Sequence, residues 1–76
     1  MGPYRIEQNI DNGGWVPATS RTYPDGSNLS EVKAQLVAEL EAQNMVKQAE
    51  VGNEWTMQFK AQSIKYRIVN ADGTPA

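Results

Sequence analysis

The segment 28–46 constrains this chain most, because it carries the marks of an amphipathic helix at its start, along its length and at its end. Asn28 is a preferred N-cap residue, and Glu31 follows at the position where a capping box places its acidic partner. An apolar stripe then recurs at helical spacing through Leu29, Val32, Leu36, Val37 and Leu40. The segment therefore predicts one helix with one buried side.

The end of this helix is predicted at Asn44. Asparagine is the residue that most often replaces glycine in the left-handed conformation that closes a helix. If Asn44 takes that position, Leu40 and Met45 should touch across a Schellman turn.

Before the helix, the sequence pattern is typical of strands and turns. Residues 4–7 alternate apolar and charged side chains, as a strand with one buried face does. Residues 11–14 contain an Asn-Gly pair, a strong hairpin signal, and a return strand should run from Trp15 toward Tyr23. Pro17 cannot donate a ladder hydrogen bond, so this strand is predicted to lie at a sheet edge or to be bulged.

After the helix, three segments are candidate strands. Residues 45–51 give a weak strand signal, and the Gly-Asn pair at 52–53 predicts a two-residue turn. Residues 55–59 and 64–69 both alternate apolar and polar side chains clearly. These patterns predict a second group of two or three strands.

We therefore expect a single small α+β domain over residues 1–76. One helix should pack on one face of a mostly antiparallel sheet of four to five strands, in the order β-β-α-β-β(-β). Residues 1–3 and 70–76 are predicted to be frayed termini.

The residue types argue against an enzyme. The chain has no histidine and no cysteine, so the usual general base, an activated serine and thiolate ligands are all missing. Glu39 and Glu41 are two positions apart on a helix and should point in different directions. Residues 11–14 fit a hairpin better than a calcium loop, so no metal or cofactor is expected.

The apolar segments are all shorter than the ~20 residues that a membrane-spanning helix needs, and no signal-peptide pattern opens the chain. We therefore expect a cytoplasmic protein without a membrane partner.

A nucleic-acid-binding surface is the alternative function. Cations on the last two strands, joined by one from the first strand if it is their neighbour, could contact phosphates without reading sequence. The net charge of −2 and the lack of a predicted aromatic residue on that face weigh against it. The candidate residues are Arg5, Lys60, Lys65 and Arg67.

A non-catalytic protein-interaction module is the leading hypothesis, by elimination. The partner would be another protein or a second copy paired through a sheet edge. The small size of this chain alone suggests an accessory or inhibitor protein of a virus, such as a phage, or of another mobile element. We expect Trp15 to be partly buried against the helix end, and if exposed it would anchor a partner. The candidate residues are Trp15, Glu31, Glu39 and Glu41.

Overall fold

The computed structural model describes residues 3–76 of the chain. Over these residues it has one helix and a five-stranded antiparallel sheet in the spatial order β2-β1-β5-β4-β3. The predicted α+β class and element order are confirmed, including a strand directly after the helix. The elements are β1 (Tyr4–Ile10), β2 (Trp15–Tyr23), α1 (Leu29–Ala42), β3 (Val46–Val51), β4 (Glu54–Phe59) and β5 (Gln62–Asn70).

Both ends of α1 follow the capping rules. The Asn28 side chain accepts a hydrogen bond from the Glu31 backbone N–H at 3.2 Å, so Asn28 is the N-cap as predicted. Asn44 has a φ of 69°, and the Met45 N–H donates to the Leu40 carbonyl at 3.2 Å. These features form the predicted Schellman turn. It closes the helix at Ala42, so α1 is shorter than the segment 28–46.

The core lies between α1 and one face of the sheet. Val32 and Leu36 of the helix are buried against the strand residues whose side chains lie on the helix side of the sheet. The Trp55 and Tyr66 rings stack there with their centroids 5.8 Å apart. The buried strand residues of this core are Ile6, Trp55, Met57, Ile64, Tyr66 and Ile68. A single helix thus covers only one face of the sheet, which leaves the other face open.

The first hairpin differs in detail from its prediction. The left-handed residues of the turn are Asp11 and Asn12, with φ of 51° and 60°, rather than an Asn-Gly pair. The Gly13 N–H donates to the Ile10 carbonyl at 2.9 Å, which makes this a primed turn. Asn and Asp tolerate positive φ better than other side chains, so the turn forms one residue earlier than expected.

The two outer strands have different edges. β2 carries Pro17, and its register on β1 shifts between Arg5 and Glu7, so the predicted proline-bearing edge strand is both at an edge and irregular. β3 forms the opposite edge, and its register on β4 shifts once, between Lys47 and Ala49.

The C-terminal segment is more ordered than predicted. β5 continues to Asn70, whose N–H donates to the Thr74 carbonyl at 2.8 Å. Pro75 then forms an isolated bridge to Val69, which is completely buried although it lies on the open face. Residues 70–76 were expected to fray, but they turn back and pair with the end of β5, where the Ala76 N–H donates to the Ile68 carbonyl at 3.1 Å. The other predicted frayed segment, residues 1–3, lies outside the described residues except for Pro3.

Candidate interaction surface

The open face of the sheet carries the alternate residues of each strand. Ladder partners in an antiparallel sheet lie on the same face, so the register places Arg5, Glu7 and Asn9 of β1 beside Val69, Arg67 and Lys65 of β5. Helix α1 packs on the opposite face. Three of the residues predicted as a nucleic-acid site, Arg5, Lys65 and Arg67, therefore lie on this open face.

Glu7 is the centre of this face. It is only 7% exposed, and its Oε1 accepts hydrogen bonds from Arg67 Nε at 3.0 Å and Nη2 at 2.8 Å. Its Oε2 lies 3.5 Å from Arg5 Nη2. A buried carboxylate needs such partners, because leaving it without them would cost several kcal/mol, on the order of 3–5. Both arginines are thus committed to an internal ion pair.

Trp15 completes this cluster. It pairs with Asn9 in the ladder, and the guanidinium carbon of Arg67 lies 4.1 Å from its ring centroid. Trp15 is half-buried, but against Arg67 on the open face and not against the helix end as expected. The expectation that this face has no aromatic residue was also wrong. Alternation could not assign Trp15 to a face because Pro17 and the register shift interrupt β2.

The predicted basic set is only partly brought together, because Arg5, Arg67 and Lys65 share the open face and Lys60 does not lie on a strand. β1 does neighbour β5 as the prediction required, but Arg5 and Arg67 share the single carboxylate of Glu7. Lys60 lies in the β4–β5 turn with a φ of 55°, and its Nζ stands 5.5 Å from the Phe59 ring centroid. Among the described residues, Lys65 is the member of the set that remains exposed in a strand without an ion pair.

The predicted acidic face of the helix is also partly occupied. Glu39 pairs with Arg21 of β2, with 3.0 Å between Oε1 and Nη2, and this hydrogen bond raises the Arg21 pKa above its ordinary value. Glu31 and Glu41 are exposed and make no ion pair within residues 3–76. Two carboxylates separated by three helical turns make a sparse charged surface.

Strand β3 is exposed along its whole length. All six of its residues are exposed, including Val46 at 58% and Val51 at 80%. Every other residue of an edge strand directs its N–H and C=O groups away from the sheet, where a further strand can pair with them. A sheet edge was among the predicted surfaces, but none of these β3 residues was a predicted site residue.

A lysine–glutamate cluster lies on β3. Glu50 accepts from Lys33 Nζ at 2.6 Å and from Lys47 Nζ at 2.7 Å, and Lys33 also donates to the Gly52 carbonyl. These two hydrogen bonds, that from Lys33 foremost, lower the Glu50 pKa to about 2. Glu50 is therefore ionised at neutral pH, and Lys33 ties the edge strand to α1.

A cavity of about 290 Å³ lies between the C-terminal half of α1 and β2. Leu36, Leu40 and Tyr66 form part of its wall, and the Arg21–Glu39 pair lies beside them. The carboxylate among its lining residues, Glu39, is thus hydrogen-bonded to the Arg21 guanidinium.

No family model matches the chain, and no curated protein or solved structure matches it significantly. Within residues 3–76, no helix is long and apolar enough to cross a membrane. The same residues contain no group of three or more His, Cys, Asp or Glu side chains placed to hold a metal ion.

Proposed function

We propose that this domain is a non-catalytic protein-interaction module that binds its partner by strand addition at β3. The observation that carries the proposal is the exposure of the whole strand, with Val46 and Val51 more than half exposed at a sheet edge. An edge strand offers main-chain hydrogen bonds, and its exposed side chains select the partner. Natural sheets usually cover or interrupt such an edge, and β3 is uncovered although Lys47 and one register shift interrupt it.

The opposite edge supports this choice by contrast. β2 has Pro17, which lacks an N–H, and its ladder is irregular next to it. Strand addition needs a continuous row of donors and acceptors. β3 offers the more suitable of the two edges, despite its single register shift.

The other candidate surfaces fit a partner less well. Trp15 and Arg67 are residue types that often anchor interfaces, but here they contact each other and Glu7. Glu39 is paired with Arg21. Trp15, Glu31, Glu39 and Glu41 therefore become secondary candidates on this proposal, and an origin in a virus or mobile element stays a hypothesis from size alone.

Affinity capture with variants tests the proposal. The immobilised domain should retain a partner protein, and the Val46→Lys/Val51→Lys double variant should lose it, because lysine on an edge strand opposes pairing. Val16→Lys is the matched control, since Val16 is a 47% exposed valine on β2. Trp15→Ala and Glu31→Lys/Glu41→Lys test the other surfaces.

Loss of capture in the β3 variant alone supports strand addition at that edge. Equal capture by the β3 variant and the wild type would contradict it. Selective loss in Trp15→Ala or in the helix variant would transfer the site to that surface.

A further inference from the structure

We infer that the strand paired with β3 is β3 of a second copy of this chain, in antiparallel orientation about a two-fold axis. This inference rests on the proposed use of the β3 edge and specifies the partner. The result would be one continuous sheet shared by two copies.

The order of residues in β3 is self-complementary. The strand reads Val-Lys-Gln-Ala-Glu-Val from Val46 to Val51. In an antiparallel pair centred between Gln48 and Ala49, Lys47 of each copy lies opposite Glu50 of the other, and Val46 lies opposite Val51. Opposite charges and apolar pairs directly across a ladder are both favourable.

The side chains in these pairs also lie on matching faces. Lys47 and Glu50 stand opposite Met57 and Trp55 of β4, so they project to the helix side. Val46 and Val51 stand opposite Gln58 and Glu54, on the open face. A two-fold axis perpendicular to the sheet keeps each face on its own side. The charged pairs therefore meet beside the helices, and the valines meet on the open face.

The existing ion pairs are compatible with this arrangement. Lys33 holds Glu50 from the helix at 2.6 Å, whereas Lys47 reaches the same carboxylate from its own strand at 2.7 Å. Pairing lets Lys47 exchange Glu50 of its own copy for that of the second copy, while Lys33 stays in place. A lysine on an edge strand normally blocks pairing, but here the facing residue is an acid.

The register shift at Gln48 falls at the centre of the proposed interface. The hydrogen bonds would therefore be made mainly by the residues on either side of it. A strand of six residues also gives a small interface, below the roughly 1,200 Å² of standard complexes. The dimer should accordingly be weak and its population should depend on concentration.

Charge reversal tests the register. Lys47→Glu and Glu50→Lys should each be monomeric in sedimentation velocity at concentrations where the wild type dimerises, because each places like charges opposite each other. An equimolar mixture of the two variants should recover the dimer, since every facing pair is then opposite in charge. The Lys47→Glu/Glu50→Lys double variant should also recover it.

Lys65→Glu is the control, because it makes the same charge change on the open face of β5 and should leave the dimer intact. Glu50→Lys loses the Lys33 contact, so circular dichroism must show that it is folded. If it is not, Val46→Lys/Val51→Lys takes its place and should be monomeric, and Lys47→Glu, which keeps the Lys33–Glu50 contact, still tests the register.

A wild type that stays monomeric over the whole concentration series would overturn the inference. The proposed function would survive that result if capture of a different protein still depended on Val46 and Val51. A dimer that is insensitive to Lys47→Glu, or one broken by Lys65→Glu, would also overturn the inference, since it would use another surface.

Discussion

The guanidinium group of Arg67 contacts the indole ring of Trp15 at 4.1 Å while it donates two hydrogen bonds to Glu7. One side chain on β5 thereby reaches both strands of the first hairpin, the adjacent β1 and β2 beyond it. The contact lies on the face that α1 does not cover. On this face, the contacts of Arg67 with Trp15 and Glu7 pack side chains together without a helix.

Glu7→Gln should destabilise the domain by about 1–3 kcal/mol, because it removes a charged acceptor from two arginines. Glu7 is nearly buried, so water cannot fully replace these bonds. Urea unfolding followed by tryptophan fluorescence measures the change. Glu41→Gln is the control, since Glu41 is exposed and should change stability by less than about 0.5 kcal/mol.

Leu36→Ala should lower the free energy of unfolding by about 2–5 kcal/mol, because it leaves a cavity between α1 and the sheet. The adjacent Gln35→Ala removes an exposed side chain from the same helix and should be nearly neutral. Chemical denaturation of both variants provides the comparison. Similar values for the two would contradict the docking of α1 through Leu36.

Asn44→Gly should retain or raise stability, whereas Asn44→Ala should cost about 1–2 kcal/mol. The φ of 69° at Asn44 is accessible to glycine but is strained for alanine. Thermal melts of the two variants, monitored by circular dichroism, give the sign of each change. Equal melting temperatures would mean that the Schellman turn does not hold the helix end.

Glu50 should make stability depend on acid pH. Hydrogen bonds from Lys33 and Lys47 lower the pKa of Glu50 in the folded protein from 4.5 to about 2. Its contribution to stability is therefore complete above the pKa of the unfolded state, and it is lost as the pH falls through the pKa of the folded state. The wild type should exceed Glu50→Gln in melting temperature at pH 6, and the gap should close toward pH 2. A gap that does not narrow would contradict the ion pairing.

The domain should not be retained by DNA or RNA at physiological salt. Arg5 and Arg67 are paired with Glu7, and Lys60 lies in a turn, so few cations are free to contact phosphate. Chromatography on immobilised nucleic acid over a salt series measures retention. Binding that weakens steeply with salt and is reduced by Lys65→Glu would instead favour the nucleic-acid hypothesis.

The local elements could be predicted from the sequence because their signals are local. Asn28 and Asn44 mark the ends of α1 through their own backbone and side-chain chemistry, and Gly52 marks the β3–β4 turn with a φ of 59°. Alternation identified the half-buried strands β4 and β5. These features depend on residues a few positions apart.

The candidate surfaces required knowledge of strand neighbours. Glu7 and Arg67 are far apart in sequence and meet only because β1 lies beside β5. Trp15 meets Arg67 across the intervening strand β1, which no local pattern indicates. Lys60 continues the alternation of β4, but it takes a positive φ in the turn. By contrast, the self-complementary order of Val46–Val51 is visible in the sequence, but it gains meaning only once β3 is known to be an edge.

Pro17 and the irregular ladder beside it limit how far this sheet can be extended. If two copies join through β3, each end of the shared sheet is a β2 strand that accepts a further chain poorly. Growth then stops at the pair. The exposed edge, which would otherwise risk fibril formation, is then buried in a closed dimer.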